Sequence, residues 1–66
     1  MYKPVEITQE QAKRLMEIKL PFGLFYYYDG DNIVAIDNTI RKTITNEFKK
    51  LYDAIEWLNN SPTINS

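Results

Sequence analysis

Cysteine and histidine are both absent from this 66-residue chain. Without them there are no disulfides, no thiolate or imidazole metal ligands, no cysteine nucleophile and no triad or acid–base pair that turns on a histidine. Most enzyme chemistry goes with them, and no cofactor is expected. Glycine is scarce too, standing only at Gly23 and Gly30. No apolar run approaches the ~18 residues of a membrane span, and no basic segment followed by an apolar one opens the chain. The expectation is a cytosolic location without membrane attachment. Charge of one sign is also lacking: eight basic against nine acidic residues leave a net charge of −1, so no global field draws the chain to nucleic acid or to an anionic surface.

What is present is 44% hydrophobic residues, with aromatics at 14%, too rich for a disordered chain. The length fits one small domain whose folded surface should be near ~4,400 Å². For so thin a core the hydrophobic gain and the cost of ordering nearly cancel, so caps, turns or a second copy of the chain must tip the balance. Residues 1–60 are read as the domain and 61–66, with Ser61 and Pro62, as a flexible tail.

Thr8 and Gln11 have the spacing of a capping box and predict a helix over 9–19, with Ala12, Leu15 and Met16 on its inner face and Pro21 as its stop. Before it, 5–7 reads as extended, in the manner of an edge strand. Residues 24–28 form an aromatic β run, and Asp29-Gly30-Asp31-Asn32 separates it from the apolar run 33–36. A Gly30-Asp31 loop pairs Tyr28 with Ile33, Tyr27 with Val34, Tyr26 with Ala35 and Phe25 with Ile36. Asp37-Asn38 marks a second turn, followed by a third strand over 39–44 that could instead reach Phe48. Phe48, Leu51, Tyr52, Ile55 and Leu58 recur at helical spacing and predict a C-terminal helix. Thr45 or Asn46 would cap it, and Lys49 and Asp53 would pair one turn apart. The expected fold is one α+β domain: helix, antiparallel hairpin extended to three strands, and helix. Both helices lie mainly on one sheet face. Its core should hold Ala12, Leu15, Met16, Phe25, Tyr27, Val34, Ile36, Phe48, Leu51, Tyr52, Ile55 and Leu58.

The hairpin is apolar on both sides. Phe25, Tyr27, Val34 and Ile36 share one face, while Leu24, Tyr26, Tyr28, Ile33 and Ala35 share the other. An antiparallel sheet with a wet side should alternate apolar with polar residues. Helices gathered on one face leave the second to spare, and three readings stay open. Either the helices straddle the sheet, or the spare face binds a second copy, giving a homodimer, or it recognises another macromolecule through tyrosine and tryptophan anchors. Leu24, Tyr26, Tyr28, Ile33 and Trp57 are the candidate partner-binding residues. Trp57 alternatively packs at the helix border, against the first helix or the Pro21-Phe22 loop.

Catalytic and metal constellations are not found. Asp29, Asp31 and Asp37 lack the closing Glu of a calcium loop and suit turns instead. No carboxylate pair is placed where burial would split its pKa values. A nucleic-acid binder is the alternative function, with Arg41, Lys42, Lys49 and Lys50 gathered near the start of the last helix and tyrosines as stacking planes.

Five segments carry a resemblance: Ile7-Thr8-Gln9-Glu10-Gln11-Ala12, Gly23-Leu24-Phe25-Tyr26, Ala35-Ile36-Asp37-Asn38, Glu47-Phe48 and Ile55-Glu56-Trp57-Leu58. In these the chain resembles small uncharacterised accessory proteins of bacteriophages and prophages of Gram-positive bacteria. The resemblance implies no enzyme activity. It implies an accessory role in the host cytosol, binding or inhibiting a host protein, and it assigns no site residue. The expected function is therefore a non-catalytic interaction module that self-associates and binds a host protein.

Overall fold

Thr8 starts the first helix as its spacing predicts. Its hydroxyl accepts from the Gln11 N–H at 3.0 Å while Gln11 Oε1 accepts from the Thr8 N–H at 2.9 Å, so two amides left free at the helix end are satisfied reciprocally. The computed structural model describes residues 2–40 and 42–60. In order they form β1 (Val5–Glu6), α1 (Gln9–Ile18), β2 (Gly23–Asp29), β3 (Asn32–Asn38), β4 (Ile44–Phe48) and α2 (Leu51–Asn59). The expected tail, 61–66, and Arg41 lie outside the described residues.

The strands make one sheet in the order β1-β2-β3-β4. The two-residue loop Gly30-Asp31 gives the expected pairing throughout, Tyr28 with Ile33, Tyr27 with Val34, Tyr26 with Ala35 and Phe25 with Ile36. Gly30 has φ 62°, the left-handed conformation that a tight hairpin asks of glycine. Val5 and Glu6 pair with Phe25 and Tyr26 in parallel, which makes the sheet mixed and turns β1-α1-β2 into a crossover unit. The last strand lies later than 39–44, at Ile44–Phe48, paired antiparallel to β3. Thr45 and Asn46 are therefore strand residues rather than caps. Lys50 stands at the N-cap of α2 with no side-chain cap bond, and Lys49, one residue further outside the helix, makes no i,i+4 pair with Asp53.

The α+β class holds, but the helices do not share a face. Ala54 and Leu58 of α2 pack on Leu24, Ile33 and Ala35, whereas Ala12 and Leu15 of α1 pack on Phe25 and Ile36. Chain connectivity gives the reason. Parallel neighbours are joined by a crossover of fixed hand, which commits α1 to one face, and the Lys49-Lys50 link delivers α2 to the other. Each apolar face thereby receives its own helix, so Leu24 and Ile33, expected on a free surface, are only 1% and 4% exposed.

Asn38 locks the crossover to the sheet. Fully buried, it donates through Nδ2 to the backbone carbonyls of Lys19 (3.0 Å) and Pro21 (2.8 Å), and its Oδ1 accepts from the Thr43 hydroxyl at 2.8 Å. Beside it, the Asp37 carboxylate accepts from the Thr39 N–H and hydroxyl, which bends the chain out of β3. Asp37 and Asn38, expected as a turn, are instead the last paired residues of β3, and their side chains hold the connection that follows.

Candidate functional site

The residues proposed for partner binding are divided by the fold rather than gathered on one face. Tyr28, Ile33 and Phe48 are cross-strand neighbours in one row, but α2 closes over its middle and leaves only the ends open. Tyr28 remains 45% exposed and meets the half-buried Tyr26 edge to face, with ring centroids 6.3 Å apart. At the other end the half-buried Trp57 packs against Phe48, with centroids at 6.0 Å and planes inclined by 49°. Trp57 thus packs at the helix border, as its alternative reading had it, but against β4 rather than the first helix or the Pro21-Phe22 loop.

The C-terminal helix is also turned about its axis relative to expectation. Ala54 and Leu58 face the sheet while Tyr52 is 74% exposed, with Leu51 exposed beside it and Ile55 half-buried. Met16 of α1 likewise stands outside the core, and Val34 and Tyr27 are only half-buried. Tyr52 keeps its phenol protonated to higher pH than usual because its hydroxyl is hydrogen-bonded to Glu56, whose charge acts in the same direction. Tyr26 and Tyr27 are raised as well, mainly by burial; Glu6 and Tyr28 add to the effect at Tyr26, and Asp29 and Glu47 at Tyr27.

Of the basic residues, Lys42, Lys49 and Lys50 are exposed. Lys49 and Lys50 lead directly into the N-terminus of α2. Among the described residues no three Asp or Glu side chains gather as metal ligands would, and no helix is long and apolar enough to cross a membrane.

The apolar surplus lies beside α1. A groove of about 280 Å³ runs between the helix and the β1–β2 side of the sheet, lined by Ile7, Leu15, Ile18, Leu20, Pro21 and Phe25, with Gln11 and Arg14 at its polar edge. Ile18 and Leu20 on this groove are 57% and 50% exposed, and Val5, paired with Phe25, is exposed too. Tyr2 and Phe22 extend the apolar surface near Gly23. The sequence carried a signal for this region that periodicity did not use: Leu20 and Phe22 flank Pro21 in a connection where neither residue belongs to a helix stripe or a strand alternation. Large apolar residues in a loop require a local reason.

Both sheet edges are blunted against strand addition. Beyond the short β1, Gln9 Nε2 donates to the Tyr28 carbonyl at 3.0 Å, and on β4 the Glu47 N–H is taken by Asn46 Oδ1 at 2.9 Å. Comparison with protein-family models, with curated proteins and with solved structures finds no match.

Proposed function

We propose that this chain is a non-catalytic protein–protein interaction module that associates with a second copy of itself and with a host protein through the apolar groove beside α1. One observation carries the reading: the exposed apolar side chains of Ile18 and Leu20 stand on the wall of one groove, with the exposed Val5 next to it in register. At about 280 Å³ the groove falls just below the ~300–1,000 Å³ typical of small-molecule pockets, a size suited to an inserted side chain. A standard interface takes ~800 Å² per partner, about a sixth of the 4633 Å² that this chain exposes, so the apolar rim would form much of any contact centred on it. The blunted edges favour association through a face over sheet extension. The host partner and the cytosolic setting rest on the resemblance to phage and prophage accessory proteins.

Sedimentation velocity across ~10 μM to 1 mM tests the proposal. The wild type should dimerise, Ile18→Ser with Leu20→Ser should sediment as a monomer with its circular dichroism unchanged, and Tyr28→Ser should associate like the wild type. A wild type that stays monomeric, or a double variant as dimeric as its parent, overturns it.

The second reading, nucleic-acid binding, is favoured by Lys49 and Lys50 preceding a helix N-terminus whose amides have no side-chain cap. Arg41 and Lys42 would join them in it. A log–log salt slope of about −0.9 per neutralised phosphate would mark that mode, whereas an apolar interface responds weakly to salt.

A further inference from the structure

On the opposite sheet face, a second cleft has different chemistry. Asp53, Glu56, Trp57 and Asn60 are spaced i, i+3, i+4 and i+7, so they form one stripe along α2 and its C-terminus. Together with Phe48 at the end of β4 this stripe lines a shallow cleft of about 520 Å³. Its aromatic wall is the Phe48–Trp57 pair, both rings half-buried and in mutual contact. Its rim carries two carboxylates. Because α2 begins at Leu51, Lys49 does not pair with Asp53, and among the described residues no Lys or Arg is within ion-pairing distance of either acid. Glu56 is anchored on its own helix by the Tyr52 hydroxyl. Asn60 is turned back onto the helix, its Nδ2 donating to the Glu56 carbonyl at 2.9 Å, which leaves the two acids as the charged groups of the rim.

We infer that the Phe48–Trp57 cleft, with Asp53 and Glu56 on its rim, binds the guanidinium of an arginine in a basic segment of a partner protein. Aromatic rings attract a cation through the negative face of their π system, most strongly for tryptophan. A planar guanidinium can stack on such a ring while directing its N–H groups to a carboxylate, a geometry that a lysine ammonium does not reproduce. Charge complementarity is local here, since the chain as a whole is nearly neutral. The site is separate from the apolar groove and does not depend on it.

Trp57 is the single tryptophan, so its fluorescence and its indole N–H resonance report on the cleft directly. The probe is a blocked peptide with three arginines spaced by glycines, titrated at low ionic strength beside versions carrying lysine or the neutral isostere citrulline. The arginine peptide should give a saturable Trp57 response, the lysine peptide should bind at least threefold more weakly, and the citrulline peptide should give no saturation. Asp53→Asn with Glu56→Gln should weaken arginine-peptide binding at least tenfold; both residues are exposed, and glutamine still accepts from Tyr52. Asp29→Asn with Asp31→Asn removes the same charge at the hairpin turn and should change affinity by less than twofold. A silent Trp57, equal binding of the lysine peptide, or equal losses in the two double variants would overturn the assignment.

Discussion

The two faces of the sheet are both covered by a helix, but only on the α1 face do open clefts reach the buried core, at Ala12, Leu15 and Phe25. On the α2 face, Leu24, Ile33, Ala35, Ala54 and Leu58 are all buried, because α2 crosses the inner strand β3 and touches β2 and β4 on either side. On the other face α1 packs against β2, whose outer neighbour β1 is only two residues long. Its flanks remain open. One flank is the apolar groove beside β1. The other is a cleft of about 450 Å³ where Met16 and Tyr27 meet Lys13, Glu17 and Asp29. Where a helix sits on a small sheet therefore decides how much apolar surface survives folding. The same two-residue inner stripe, Ala12-Leu15 or Ala54-Leu58, closes a face where longer strands lie on both sides of the helix and leaves one open where the flanking strand has two residues.

The difference predicts unequal costs for equivalent truncations. Leu58→Ala should destabilise by about 3–4 kcal/mol and Leu15→Ala by about 2–3 kcal/mol, since a cavity bordered by open grooves collapses or floods more easily than an enclosed one. A core of this size supplies only about 3–5 kcal/mol in total, so the first variant should be largely unfolded at 25 °C and the second partly folded. Urea melts followed by circular dichroism rank them, and a larger loss at Leu15 would contradict the comparison.

Asn38 joins the open face to the sheet and comes next. Asn38→Ala strands the Lys19 and Pro21 carbonyls and the Thr43 hydroxyl that it serves, at a cost of about 2 kcal/mol. Because the loop it holds contributes Leu20 and Pro21 to the groove, the variant should also lose self-association while α2 keeps its hydrogen-exchange protection. Uniform loss of protection in both helices would show that Asn38 supports the whole fold rather than the groove.

Local chemistry was the legible part of this fold. The capping box placed α1 almost to the residue, and the Gly30-Asp31 loop specified the complete β2–β3 register, because both are set by neighbours in sequence. The face of α2 was not legible for a definite reason. Phe48 entered the apparent stripe but belongs to β4, and Tyr52 counts as apolar although its ring tolerates water. Ala54, the residue that lets the helix approach the sheet, adds little to any hydrophobic pattern. Once Phe48 leaves and Ala54 enters, the buried face turns toward Trp57 and the candidate surface of Leu24 and Ile33 disappears beneath it. The edge strand at 5–7 was legible, but its parallel pairing with β2 was not, because two residues, Val5 and Glu6, carry no periodicity to read. The apolar groove arises only when 5–7, α1 and the Leu20-Pro21 loop come together, a juxtaposition that no single segment encodes.

A smaller, stabilising change sharpens the account of α1. Lys19 closes this helix with φ 60° and ψ 30°, its N–H bonded to the Leu15 carbonyl at 2.7 Å, and a left-handed conformation disfavours any residue with a Cβ. Lys19→Gly should therefore stabilise by about 0.5–1 kcal/mol, the relief of the left-handed strain less the extra freedom of glycine in the unfolded chain. The Asn38 contact is to the backbone carbonyl of Lys19 and survives the change. A loss of stability instead would mean that the Lys19 side chain contributes more than its backbone strain costs.

The weakest effect separates the faces by pH. Tyr26 and Tyr27 are adjacent and so point to opposite sides of the sheet, Tyr26 to the α2 core and Tyr27 to the α1 core. Burial raises the pKa of both above the usual value near 10, so the folded state holds each phenolic proton more tightly than the unfolded chain does. Their stabilising contribution is complete below about pH 10 and declines as pH rises through the folded-state values. Tyr26→Phe and Tyr27→Phe should each flatten the alkaline fall in melting temperature, one reporting on the closed face and the other on the open one. Tyr52→Phe is the control: its pKa is raised by Glu56, but the side chain stands in solvent, which screens the pair, and the alkaline profile should keep its shape. Should neither sheet variant alter the profile while Tyr52→Phe does, the helix surface rather than the sheet would govern alkaline stability, and the contrast between the two faces would have to be redrawn without the tyrosines.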